Sequence, residues 1–85
     1  MDKFKSILKQ NLTESQKETF TDCVSKLLEV KKGISDLKHK KMLAENKVEE
    51  TVNMINEATI IIIASAADDC IGEQQLQDTI EHYLR

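Results

Sequence analysis

Apolar residues recur along most of this chain at steps of three and four, the spacing that lines one face of a helix. Phe4, Ile7 and Leu8 open the pattern and predict a first helix over residues 2–10. The polar stretch QNLTESQ then interrupts it. Asn11 can close the first helix, and Thr13 with Gln16 forms a Thr-x-x-Gln capping box that starts a second. Beyond it runs a sustained stripe: Phe20, Cys23, Leu27, Val30, Ile34, Leu37, Lys41, Ala44, Val48, Thr51, Ile55, Ala58 and Ile62. Only Lys41 and Thr51 break its apolar character, and it reads as the seam of a coiled coil or of a helix lying along a bundle. Leu76, Ile80, Tyr83 and Leu84 form a last stripe and predict a helix over residues 73–85, with Gly72 marking the turn before it.

Gly33 divides two architectures. Lys31 and Lys32 suit the negative end of a helix dipole, Ile34 can make a Schellman contact with Leu28, and Ser35 or Asp36 can cap a new helix. These signals predict a turn, with helices over residues 14–32 and 36–67. The alternative is one unbroken helix from 14 to 67, because a single glycine costs only about 1 kcal/mol inside a helix. The difficulty of stabilising so short a chain as a rod favours the turn. The expected fold class is all-α: a small helical bundle built on a long-helix hairpin or coiled coil, with short N- and C-terminal helices, in one domain spanning 1–85.

Thr59 to Ile63 place five β-branched residues together, which is strand-like. Their flanks have helical period, and no second such run exists to pair with, so a helix is expected here too. Each of the five gives up a few tenths of a kcal/mol against alanine, so packing must hold that turn. A helix apolar all round is buried all round. The last helix supplies one cover and the first a second, which is too little for a full cylinder. The remaining cover is expected to be another copy of the chain, through Ile55, Ile60, Ile61, Ile62, Leu76, Ile80 and Leu84.

Composition sharpens this picture in three ways. The 85 residues include two glycines and no proline, so turns are few and helices long. The longest apolar run, ATIIIIASAA, is half the roughly 20 residues a membrane span needs, and the start of the chain lacks a secretion signal. A cytoplasmic protein is expected, with Cys23 and Cys70 as small buried hydrophobes and no disulfide. The net charge of −3 conceals an asymmetry. Residues 1–41 carry ten lysines against six acids, and residues 42–85 carry Lys47 and Arg85 against nine. Halves of opposite sign suit antiparallel packing within or between chains.

Candidate chemistry is sparse. KKGISDLKHKK concentrates lysines that can neutralise phosphates, and Lys38, Lys40 or Lys41, with Arg85 from a neighbouring copy, are candidates for a small anionic ligand such as a nucleotide. Nucleic-acid binding is not expected: there is one arginine, and Phe4, Phe20 and Tyr83 are too few to build a stacking platform. The QQLQ segment, the only candidate for base-reading side chains, falls in the acidic half. Cys23, His39, Cys70 and His82 lack the short paired spacing of a zinc site, so no metal or other cofactor is expected. Glu49-Glu50 and Asp68-Asp69 are adjacent and point apart on a helix, and no phosphate loop or nucleophile elbow occurs, so no enzymatic activity is expected. Met42, Met54 and the isoleucines can form an adaptable groove for a partner's helix.

The segment AENKVEETVNMINEATIIII, about a quarter of the chain, resembles the second helix of the small helical-hairpin co-chaperones of type III secretion needles. That resemblance implies a heterodimeric chaperone. The lysine- and isoleucine-rich composition is also similar to that of small phage-encoded inhibitors, some of them helical oligomers that sequester signalling nucleotides. Neither likeness assigns a site residue. The expected function is a self-associating adaptor, chaperone or inhibitor that binds a protein partner through an apolar helix face. An oligomeric sponge for an anionic ligand is the alternative.

Overall fold

A computed structural model describes residues 2–85. The chain is all-α, with four helices: α1 (Asp2–Lys5), α2 (Glu14–His39), α3 (Glu45–Ala66) and α4 (Glu73–Leu84). Among the described residues there is no strand, only an isolated antiparallel bridge between Leu8 and Ala67.

The first helix is shorter than its 2–10 prediction, and the bridge is the reason. Beyond Lys5 the backbone leaves the helix to pair with the end of α3: Lys9 N–H donates to the Ala66 carbonyl at 3.0 Å and Asp68 N–H to the Ile7 carbonyl at 2.8 Å. Phe4, Ile7 and Leu8 still point inward, all buried. α2 begins at the predicted capping box, where Thr13 and Gln16 exchange side-chain-to-backbone hydrogen bonds of 2.9 and 3.1 Å.

No turn occurs at Gly33. α2 runs through it to His39, seven residues past the predicted end at 32, and α3 starts at Glu45 rather than 36. Half-buried Ile34 and Leu37 continue the apolar stripe past the glycine, which stays in the helix with no positive φ. The Schellman geometry expected at Gly33 appears eight residues later. Met42 N–H donates to the Leu37 carbonyl (2.9 Å) and Lys41 N–H to the Lys38 carbonyl (3.1 Å), with Lys41 in the left-handed region at φ 57°. α3 carries all four isoleucines in helical conformation and ends at Ala66. The turn into α4 is tied by the Asp68 carboxylate, which accepts from Cys70 N–H at 2.8 Å. That hydrogen bond holds the Asp68 carboxyl below its ordinary value.

α2 and α3 pack side by side, and Lys31 Nζ donates to Asn56 Oδ1 (2.8 Å) and to the Leu84 carbonyl (3.1 Å), linking α2, α3 and α4. The core gathers at one end. Phe4, Ile7 and Leu8 meet Val24 of α2, Ile63 and Ala66 of α3, and Ile80 and Tyr83 of α4. Phe4 and Tyr83 stack edge to face with centroids 6.4 Å apart, and the Phe4 N–H donates to the Tyr83 hydroxyl at 3.0 Å. The buried threonines Thr21, Thr59 and Thr79 satisfy their own hydroxyls on the carbonyl four residues earlier. Away from this end the two long helices stand alone, and only Val48 and Ile55 are buried there. The radius of gyration, 14.3 Å, exceeds the roughly 12 Å of a compact chain of this length. No helix among the described residues is long and apolar enough to cross a membrane.

Candidate interaction face

The pair α2–α3 forms a layer with two sides. One side receives α1 and α4, through Val24, Leu28 and Ile63. Among the described residues, the other is covered only at one end, where Leu12, Phe20 and Ile62 pack against the core. On α2, Phe20, Cys23, Leu27 and Val30 recur at steps of three and four and so share a face; Phe20 and Leu27 are half-buried, Cys23 and Val30 exposed. On α3, Met54, Ala58, Ile61 and Ile62 do the same: Met54 and Ile61 are exposed, Ala58 and Ile62 half-buried. Leu12 closes the end of this surface, where Leu12, Phe20, Cys23 and Ile62 line an apolar groove of about 480 Å³. Val30 is 52%, Ile61 58% and Met54 63% exposed, high values for side chains of this size on a structured helix.

The residues expected to mediate association separate into two groups. Ile55 and Ile80 are buried within the chain's own packing. Ile60 and Ile61 are exposed, and Ile62, Leu76 and Leu84 are half-buried. The four consecutive isoleucines therefore divide around the helix: Ile63 fills the core, Ile62 borders the groove, and Ile60 and Ile61 face outward about 100° apart. Val30, Leu12 and Cys23 belong to the open face without having been singled out for it. The seam contained Val30 and Cys23, but the stripe alone does not show that α4 covers only the opposite side.

Within one chain the anionic-ligand candidates lie in two places. Lys38 and Lys41 line a cleft at the α2–α3 turn with His39, Met42 and Glu45, and Lys40 is exposed outside it. Arg85 lines a different cleft, between α2 and α4, with Lys31, Lys32, Ser35 and His82. Among the described residues, no acidic side chain lines that second cleft. Cys23 and Cys70 are free and exposed, not buried as small hydrophobes. Among the described residues, no three of the His, Cys, Asp and Glu side chains come close enough together to hold a metal.

No family model matches the chain, and no curated protein or solved structure matches it.

Proposed function

We propose that this chain is a non-enzymatic helical interaction module, an adaptor, chaperone or inhibitor, whose two long helices act as an antiparallel hairpin that presents one apolar side to a protein partner. The observation that carries this reading is the open side of α2–α3, where Val30, Met54 and Ile61 are exposed beside half-buried Phe20, Leu27 and Ile62. Apolar side chains contiguous over two helices cost free energy in water and gain about 25 cal/mol per Å² when covered by another apolar surface. A helical partner fits best, because a groove between two helices accepts a third at steps of three and four. The chaperone-like α3 segment, residues 44–63, contributes Met54, Ala58, Ile61 and Ile62 to this face.

A double variant, Met54→Lys with Ile61→Glu, tests the reading, because both side chains are exposed and the fold does not depend on them. Protein complexes formed by the unmodified chain in its source cells are expected to be lost in the double variant and kept in Gln77→Lys, a change at an exposed position of α4, on the opposite side of the pair. Unchanged complexes in the double variant would remove the apolar face from the function.

The cleft of Lys31, Lys32, Ser35, His82 and Arg85, basic in its side chains, favours a second reading, a sponge for a small anionic ligand. A ligand that binds only the folded chain raises its melting temperature by mass action. A melting-temperature rise with mono-, di- or cyclic nucleotides that disappears in Lys32→Glu supports this reading; no rise with any of them removes it.

A further inference from the structure

We infer that the occupant of the open face is a second copy of this chain, related by a two-fold axis parallel to the long helices, so that α2 of each copy covers α3 of the other. The inference rests on the open side of α2–α3 being an interaction surface, and it adds the partner and the geometry. Area is the first argument. The open side runs along α2, about 39 Å, and is two helices, about 15 Å, wide, so two copies laid face to face bury roughly 600 Å² each, the low end of specific interfaces.

The second argument is the charge at the margins. Along the outer edge of α2 run Cys23, Lys26 and Val30, and along that of α3 run Met54, Glu57 and Ile61, all exposed. Each edge alternates apolar, charged, apolar, and the charges are opposite. Among the described residues, neither Lys26 nor Glu57 has an ion-pair partner within the chain. The register follows from Lys31 bonding Asn56 across the pair, which sets Lys26 level with Ile61. Glu57 is about one helical turn, roughly 5.4 Å, from that level, within reach of a lysine side chain. A two-fold axis along the helices keeps these heights and lays Lys26 of one copy beside Glu57 of the other, twice. The perpendicular two-fold, which stacks α2 on α2 and α3 on α3, keeps Lys26 and Glu57 apart and forms neither of these pairs. An isologous contact of this kind closes at two copies.

The test combines mass and thiol reactivity on the full chain. Sedimentation from micromolar to submillimolar concentration is expected to show a monomer–dimer equilibrium. Over the same range, modification of Cys23, on the covered face, slows while that of Cys70, in the α3–α4 turn, does not. Ile61→Glu is expected to leave the helical circular dichroism unchanged and the chain monomeric throughout. Lys26→Glu and Glu57→Lys each weaken the dimer by roughly tenfold, since each disrupts two exposed pairs, and together they restore it. A monomer at every concentration, with Cys23 and Cys70 equally reactive, overturns the second-copy inference and leaves the face open for a different partner. A monomer in which Cys23 is protected overturns both readings, because the face is then covered by the chain itself. A dimer insensitive to Ile61→Glu and to the charge exchange overturns the geometry.

Discussion

Lys41 adopts φ 57°, the only positive φ among the described non-glycine residues. An L-residue in the left-handed region pays roughly 1–2 kcal/mol in contact between its Cβ and the backbone, a cost glycine does not have. The Schellman hydrogen bonds at Leu37 and Lys38 must outweigh that cost, because they end α2 where the apolar stripe itself would let it continue. Lys41→Gly is therefore expected to stabilise the fold by about 0.5–1 kcal/mol in urea unfolding. A destabilised variant would mean that the lysine side chain contributes more than its backbone costs. The same scale explains Thr59 within the β-branched run. Its hydroxyl bonds the Ile55 carbonyl at 2.8 Å, so a polar residue sits buried in the helix without an unsatisfied atom.

At the scale of elements, Gly33 shows how far the sequence can be read. The capping box, the last helix and the helical state of the isoleucines all follow from local spacing, and the structure contains each of them. The turn does not sit where glycine, flanking lysines and a following Ser-Asp placed it. Those residues allow a turn without requiring one, and the choice was made by the packing of α2 along α3, which no local pattern reveals. A Cβ built on Gly33 meets no atom within 4 Å, so the position has room for a side chain. Gly33→Ala is expected to raise stability by about 0.8–1 kcal/mol, the helix-propensity difference. A loss of similar size would restore the turn at this position. The first helix was misjudged for the opposite reason. Its apolar spacing is helical, yet pairing of Ile7 and Lys9 with α3 and the chain that follows it satisfies the backbone in another way. Of the open face, the stripe on each helix was legible. Which side of the pair stays bare was not, because it depends on where α4 lands.

The whole molecule is asymmetric along its length. At one end four segments bury a common core, and at the other two helices stand with Val48 and Ile55 alone between them and solvent. The core end is joined by the buried bond between Phe4 N–H and the Tyr83 hydroxyl. Tyr83→Phe keeps the ring and its packing but leaves that amide without its acceptor, at a cost of about 1–2 kcal/mol in chemical denaturation. No change in the midpoint would show that the amide finds another acceptor. The elongated shape and the single-sided cover belong together, since a chain with 85 residues and two long helices has too little left to wrap both sides.

The Phe4–Tyr83 contact joins residues 79 positions apart, and its consequence reaches back to synthesis. A growing chain can wind α2 and α3 as soon as they leave the ribosome, but the slot that receives Phe4 has no far wall until Tyr83 arrives. The segment that bears Phe4 therefore stays greasy and unhoused until the 79 residues that lead to Tyr83 have been made.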